Sequence, residues 1–282
     1  MSPSRVIEGQ STKLGRTVHG IAWDPVHDEI VVPNPLAAAI LIFRGSAQGS
    51  EAPIRMIQGP HTCLSLPHSV SVDSANKEIL VGDLGAHAVL VFPWNANGDA
   101  APLRKITGPK TRLGHVVGTG VDQATNLLAV ANSDEILIFN RLDDGDIAPR
   151  AVIGGPKSGI GEEPWQLEIH DGNIFVAASN HLHQWVYPAG QIAPKAEWKE
   201  VPRDPWNDPA SGFIGSWRIT DNGDVPPQAI IKGPKSGLRH PSGLALDVEN
   251  SEIIASDSVD NSVRTFRVPE LFKKRKAAPA KH

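Results

Sequence analysis

Residues 59–73 of this chain read Gly-Pro-His-Thr-Cys-Leu-Ser-Leu-Pro-His-Ser-Val-Ser-Val-Asp, and this phrase decides the fold. Its first half is a turn-forming loop, Gly-Pro-x-Thr/Ser-x-Leu, and its second half is a largely apolar stretch that ends in Asp. Similar phrases begin at Gly108 and Gly233, and weaker copies begin at Gly9 and Gly155. A unit that recurs at such long intervals indicates one structural element copied around an axis.

Each copy contains four short apolar runs separated by turn residues. In the second copy the runs are 68–72, 78–81, 88–92 and 103–106. Runs of this length that alternate or are wholly apolar are typical of β strands. Residues 97–99 (Asn-Gly-Asp) separate the third run from the fourth, and Asn-Gly supplies the positive φ of a tight hairpin. Four antiparallel strands per copy, repeated radially, predict an all-β fold, a β-propeller.

The copies predict five blades in a single domain, residues 1–271. The interval between Gly155 and Gly233 is longer than the others, so we place an insertion in the fourth blade at about residues 184–211. Six blades, one of them shortened, is the alternative. The last copy has only three strands, and the N-terminal run 5–7 resembles the missing outer strand. We therefore predict that the N-terminal strand closes the ring, which removes an exposed sheet edge.

Composition limits the partners and the compartment. The 282 residues carry a formal net charge of -4, so no global basic field argues for nucleic acid. The single Cys63 excludes an internal disulfide and a multi-cysteine metal site. No apolar run is long enough to span a membrane, and the N-terminus lacks a signal-peptide core. We expect a cytoplasmic protein, or a secreted one whose leader was removed, with a basic, disordered tail at 272–282.

Histidines recur at the entrance to the innermost strand of the blades. His19 and His68 lie five residues before the Asp that ends this strand, and His115 and His240 lie seven before it. Because innermost strands line the axis, we predict that these four imidazoles meet at the channel mouth in two adjacent layers. Three or more imidazoles with an open face form the ligand set of a catalytic zinc, or of copper, iron or nickel. Inherited structural histidines, each bonded to a neighbouring blade, are the alternative.

The fourth blade differs, because acidic and tryptophan side chains stand at its strand entrance, residues 162–165. In the adjoining segment 180–183 (Asn-His-Leu-His), the two histidines alternate and point to one side if the chain is extended. The further predicted site residues are Glu162 and Glu163 as base or ligand, His183 as a metal ligand, and Trp165, Trp185 and His181 as substrate lining.

Two other recurring residue types, aspartate and arginine, are predicted to have structural roles. The aspartates that end the inner strands are predicted to be turn formers, since Asp bonds its own backbone two residues on. The arginines of the outer strand are predicted to cover blades or to pair across them. These residues are Asp24, Asp73, Asp122 and Asp247, and Arg5, Arg55 and Arg104.

The chain resembles the NHL-repeat class of β-propellers through units such as residues 67–73 and 241–247. This resemblance spans nearly the whole chain and is specific for fold but weak for activity. Relatives include protein-interaction modules, calcium-dependent lactonases and the peptide-amidating lyase domain, where inner-strand histidines hold zinc. The resemblance implies zinc at the four histidines, or a lactonase-like role for Asn34 and Asn132. The lyase class also uses a tyrosine, and the only one here, Tyr187, lies in or beside the insertion.

Two functional hypotheses of different classes follow. The first is a metal-dependent enzyme, of lyase or hydrolase type, that acts on a small organic substrate at the histidine-lined axis, with zinc as the leading metal. The second is a non-catalytic NHL-type propeller that binds a protein, peptide or glycan partner on the same face. The histidines favour the enzyme.

Overall fold

The computed structural model describes residues 3–16, 18–160, 163–179 and 212–272. In these ranges the chain forms nineteen β strands and no α-helix. The strands belong to five antiparallel sheets, arranged in a ring as a five-bladed β-propeller. The predicted fold class is therefore confirmed, and five blades rather than six are present.

Each sheet follows chain order from its inner strand outward. The first blade contains β1 (Ala22–Asp24), β2 (Glu29–Asn34), β3 (Ala39–Arg44) and β4 (Arg55–Ile57). The second blade contains β5 (Pro67–Asp73), β6 (Glu78–Asp83), β7 (Ala88–Pro93) and β8 (Arg104–Thr107), and the third contains β9 (Val116–Asp122), β10 (Leu127–Asn132), β11 (Glu135–Asn140) and β12 (Ala151–Gly154). The fourth blade contains β13 (Glu163–His170), β14 (Asn173–Ser179), β15 (Gly212–Arg218) and β16 (Ala229–Lys232), and the fifth contains β17 (Pro241–Asp247), β18 (Glu252–Asp257) and β19 (Ser262–Arg267). Short 3-10 turns occupy Gln10–Thr12, Pro35–Ala37, Pro60–Thr62, Pro109–Thr111 and Pro269–Leu271.

Apart from polar residues at their ends, the middle strands of the first three blades are apolar, because they are covered on both faces. All residues of β6 and β10 are buried. The core therefore consists of clusters between successive sheets, such as Leu80 of β6 with Leu128 and Val130 of β10. A further cluster lies on the first sheet, where Ile7 and Leu14 of the N-terminal segment pack against it.

The Asn-Gly-Asp motif joins blades instead of closing a tight hairpin. The predicted turn between the third and fourth strands is present, but ten residues, 94–103, connect β7 to β8, so the connection is longer than a tight hairpin. Gly98, with φ 64°, forms a parallel bridge to Ile57 of the first blade. Asp99 Oδ1 accepts a hydrogen bond from His61 N at 2.7 Å. The same bridge recurs at three other joints, Ile7–Gly49, Ile106–Gly145 and Ile153–Gly223.

The N-terminal segment contacts the first blade in the same way. Gly49 N donates to Val6 O at 2.6 Å, Glu8 N donates to Gly49 O at 2.9 Å, and the Arg5 guanidinium donates to Gly45 O. Residues near Ile7 therefore occupy the place of an outer strand that precedes the first blade. The fifth sheet itself contains three strands among the described residues.

The strand-ending aspartates are turn formers, as predicted, and they also link blades. Asp73 Oδ1 accepts from Asn76 N in its own turn at 3.2 Å and from Gln123 Nε2 of the third blade at 3.1 Å. Asp24 Oδ1 accepts from Ser74 Oγ of the second blade at 2.9 Å. The turns of the first two blades thus hold the next blade at the end of the channel opposite the histidines.

The outer-strand arginines pair with glutamates that begin the second strands. Arg55 pairs with Glu29 in the first blade, and Arg104 pairs with Glu78 in the second. Glu78 also accepts from Arg141 of the third blade at 2.9 Å, so one buried carboxylate joins two blades.

Replacing Gly59 with alanine is expected to destabilise the blade joint. Gly59 has φ 144°, and an added Cβ would overlap the Asp99 side chain that caps the following turn. We expect the free energy of unfolding to fall by about 1–3 kcal/mol in urea titrations. Gly98→Asn is the matched control, since nothing lies near its Cβ position and Asn tolerates positive φ. Equal loss in both variants would contradict the proposed overlap.

The insertion and tail calls fall largely outside the described residues. β14 ends at Ser179 and β15 begins at Gly212, so the fourth blade carries its extra chain between its second and third strands. Residues 180–211, which include the predicted insertion, and tail residues 273–282 are not among the described ranges. Among the residues that the structure describes, no helix is long and apolar enough to cross a membrane.

Candidate axial site

A β-bulge sits at the start of the inner strand in four blades. In β5 the register shifts between Pro67 and Ser69, which leaves His68 as the extra residue. In β13 it shifts between Pro164 and Gln166, which leaves Trp165. A bulge bends the strand and re-aims the extra side chain. Val117 and Ser242 are the extra residues of β9 and β17. In the first blade His19 lies at the position equivalent to His68, since each precedes the strand-ending aspartate, Asp24 or Asp73, by five residues.

The structure brings the four predicted histidines of the described residues together with Trp165. The rings of His19 and His68 stack with centroids 4.4 Å apart and planes at 20°. His68 lies 6.3 Å from His115 and 6.4 Å from Trp165, and Trp165 meets His240 edge-on at 5.1 Å. His68 is therefore the centre of a continuous aromatic cluster built by all five blades.

The imidazoles at the centre of this cluster are held in their neutral form. Burial, with repulsion from His19 and His115, lowers the pKa of His68 to about 3. Burial also lowers the pKa of His19. Neutral imidazole keeps a nitrogen lone pair available as a hydrogen-bond acceptor or metal ligand at neutral pH.

Two buried nitrogens of the cluster lack hydrogen-bond partners in the part of the chain that the structure describes. They are His68 Nδ1 and Trp165 Nε1. Buried polar atoms of this kind are uncommon and mark either strain or a site for a ligand, ion or water. Their position on the axis, in adjoining rings, is a reason to regard the cluster as a binding site.

The loops that deliver the histidines are fixed by the last residue of each neighbouring second strand. Asp257 Oδ2 accepts from Arg239 N at 2.7 Å and from His240 N at 3.0 Å. His240 Nδ1 lies 2.7 Å from Ser258 Oγ, which orients the ring. Asn132 Oδ1 accepts from Gly114 N at 2.8 Å, beside His115.

Asn34 and Asp83 play the same part in the first two blades. Asn34 Nδ2 donates to Lys13 O at 2.7 Å, and Asp83 accepts from Ser65 N and Leu66 N at 2.8 and 2.9 Å. Asn34 and Asn132, singled out for a lactonase-like ligand set, thus bond the backbone of entrance loops. Sequence reasoning missed the role of Asp83 and Asp257, although an Asn or Asp at the end of four second strands was a readable signal.

The stacked geometry restricts how a metal would be held. Lone pairs of an imidazole lie in the ring plane, so His19 and His68, stacked face to face, do not aim at one point. Nitrogen ligands approach zinc to about 2.0–2.1 Å. Within the described residues, no group of three or more His, Cys, Asp or Glu side chains has metal-binding geometry. Joint coordination would require one of the two rings to rotate out of the stack.

Below the cluster runs a channel of about 990 Å³, lined by the inner strands of the blades. This volume lies at the upper end of the range for small-molecule sites. Ser71 and Thr119 face each other within it, with hydroxyl oxygens 2.9 Å apart.

Glu168 is a channel residue that the sequence analysis did not single out. It lies in the middle of β13, and burial raises its pKa to about 7. The side chain opens onto the channel but is otherwise enclosed by protein, which accounts for the strong desolvation. Comparison of the copies would have revealed it, because the corresponding residues of the other blades are Ala22, Ser71, Gly120 and Ala245.

Several predicted site residues cannot be placed. Glu162, His181, His183 and Trp185 lie outside the described residues, and only the backbone of Glu163 is described, paired with Ser179. Their predicted roles remain predictions. Ser179 pairs with Gly212 at the end of the sheet that carries Trp165. His181, His183 and Trp185 fall between these two residues in sequence.

The comparisons with known proteins concern the fold. No protein-family model and no curated protein matches the sequence. Hydrazine synthase from Kuenenia stuttgartiensis superposes with a TM-score of 0.54 at 10% identity, over 85% of this chain and 55% of that chain. A chain of the mitotic checkpoint complex superposes with a TM-score of 0.54 at 13% identity, over 88% and 60%. This chain spans less than two thirds of either structure, and at such identities the likeness shows the propeller fold alone.

Proposed function

We propose that this propeller is a metal-dependent enzyme of lyase or hydrolase type that acts on a small organic substrate in its axial channel. The observation that carries the proposal is the convergence of His19, His68 and His115 from three successive blades, next to a channel that His19 lines. The resemblance to NHL-type propellers with zinc at inner-strand histidines supports the same assignment.

Several features of the chain support metal binding, although joint coordination requires His19 or His68 to rotate out of their stack. His68 and His19 are neutral at physiological pH, which is the protonation state that binds a metal. Two buried ring nitrogens lack partners among the described residues. A divalent transition metal such as zinc, when bound, polarises a substrate oxygen or lowers the pKa of bound water. Trp165 provides an apolar wall beside the cluster, and Glu163, two residues before it, keeps its proposed role as base or ligand.

Elemental analysis tests this proposal directly. We expect untagged wild-type protein, or protein reloaded with zinc, copper, iron or nickel, to hold about one metal ion per chain. His68→Phe should abolish this metal, because phenylalanine keeps the ring and its stacking but has no lone pair. His61→Ala is the matched control, since His61 is exposed on the rim and bonds Asp99. Wild-type protein without metal after reloading, or equal metal in His68→Phe, would refute the proposal.

A second candidate is a non-catalytic propeller that binds a peptide, glycan or protein partner on this face. It is favoured by the stacked His19 and His68 rings and the edge-on contact of Trp165 with His240, which form an aromatic surface without rotation of any ring. Under this alternative, His68→Phe retains binding, whereas Trp165→Ala weakens it.

A further inference from the structure

The channel below the histidines is acidic. Its titratable lining groups are His19, Asp122, Glu168, His170 and Asp171, and no lysine or arginine lines it within the described residues. Low-dielectric walls concentrate the field of such groups, so a channel of this kind attracts cations and repels anions.

Glu168 lies where the channel has room for a ligand. At its level the other four blades contribute only small side chains: Ala22, Ser71, Gly120 and Ala245. A long carboxyl side chain on one blade, opposite four short ones, leaves space in front of the carboxylate.

Glu168 has no protein partner for its charge. It makes no hydrogen bond or ion pair with the described residues, and burial alone accounts for its raised pKa. Gln166, which alternates with it on the same side of β13, accepts a hydrogen bond from Leu244 N at 2.9 Å. Glu168 thus points toward the inner strand of the fifth blade, where Leu244 and Leu246 offer no donor side chain. A carboxylate that is largely enclosed by protein and faces no donor is stabilised by a cation.

We propose that the ligand of the axial channel carries an ammonium group, which pairs with Glu168 while the rest of the ligand reaches up to the His19 and Trp165 rings that line the channel. This inference deepens the proposed function, because it names the substrate class for the same channel. Charge-assisted hydrogen bonds to a carboxylate are about twice as strong as neutral ones.

The spacing of the two ends sets the size of a suitable probe. Trp165 and Glu168 are three residues apart on β13, which corresponds to about 10 Å along a strand. 4-Phenylbutylamine carries an aromatic ring and an ammonium group at the two ends of a four-carbon chain, which spans most of this distance when extended. 4-Phenylbutanol and 4-phenylbutyrate have similar length and are neutral and anionic, respectively.

Calorimetric titration of the three probes, at pH 8.5 in EDTA, tests the proposal. We expect the amine to bind about tenfold or more tightly than the alcohol, and the acid to bind weakest. Glu168→Gln should lower amine affinity to that of the alcohol without changing alcohol binding. Glu249→Gln, an exposed carboxylate in the turn after β17, is the matched control and should change neither. Trp165→Ala should weaken the amine and the alcohol alike.

The outcomes separate this inference from the proposed function. Equal binding of amine and alcohol, absence of binding by all probes, or unchanged amine affinity in folded Glu168→Gln would overturn the ammonium site. Because the titrations are run in EDTA, amine binding through Glu168 in a protein that never takes up metal would leave the ammonium site standing and refute metal dependence. A protein that loads metal at His68 but binds amine and alcohol with equal affinity would support metal dependence and overturn the ammonium site.

Discussion

Metal-free wild-type protein is expected to lose about 2.5 kcal/mol more stability than His68→Phe when the pH falls from 7 to 4.5. The pKa of His68 is about 3 in the folded chain and 6.5 in its ordinary state. Below pH 6.5 the unfolded chain therefore takes up a proton that the folded chain does not, and the fold is destabilised increasingly until about pH 3. Phenylalanine at this position has no such proton, so the variant should show a flatter pH profile.

Urea titrations in EDTA at several pH values measure this difference. Glu168→Gln provides a control of opposite sign, because the folded-state pKa of Glu168 is raised to about 7. Between pH 4.5 and 7 this carboxyl lowers the free energy of unfolding as the pH rises. Acidification through this range therefore restores stability at Glu168. Glu168→Gln should therefore steepen the acid loss, whereas His68→Phe flattens it. Identical acid profiles for wild type and His68→Phe would show that His68 is not held neutral.

Arg55→Ala is expected to lower the free energy of unfolding by about 3 kcal/mol, because it strands a buried carboxylate. Arg55 donates to both oxygens of Glu29 at 2.6 and 2.8 Å and to Trp94 O at 3.1 Å. Trp94 Nε1 of the second blade also donates to Glu29, at 2.8 Å. The Glu29 side chain is only 7% exposed, so water cannot replace the lost guanidinium.

The exposed pair of Arg44 and Glu51 gives a matched comparison for this prediction. It has the same two-pronged contact, but the Arg44 side chain is 56% exposed. Solvent screening makes such a pair nearly neutral for stability, so Arg44→Ala should leave the urea midpoint almost unchanged. Similar loss in both variants would mean that burial does not set the strength of the Arg55 pair.

Much of the fold could be predicted because each copy repeats the same local chemistry. The phrase at 59–73 defines one inner strand and its entrance loop, and five copies define the blades. Radial symmetry then places His19 and His68, at one position of the copy, and His115 and His240, two residues earlier in theirs, around one axis, since the strand entrances of all blades meet there.

Other features depend on contacts that spacing does not encode. The stacking of His19 on His68 depends on side-chain rotamers and on the bulge at His68. The pKa of Glu168 depends on the apolar strand that faces it, in a blade distant in sequence. Asn97-Gly98-Asp99 looked like a hairpin because its residues favour turns, but its side chains bond the preceding blade. For residues 97–99 the turn propensity was read correctly and the bonding partner was missed.

The bulge at the start of the inner strands has a consequence for how this channel can change. A bulged residue is outside the strand-pairing ladder, so its side chain can be exchanged without altering a hydrogen-bonded neighbour. Four blades carry His68, Val117, Trp165 and Ser242 at the bulge, and the first blade, whose strand has no bulge, carries His19 at the equivalent position, while the surrounding strands keep one pattern. Substitutions at these positions can therefore change the ligand preference of the channel one blade at a time, while the strand pairing of the propeller is kept.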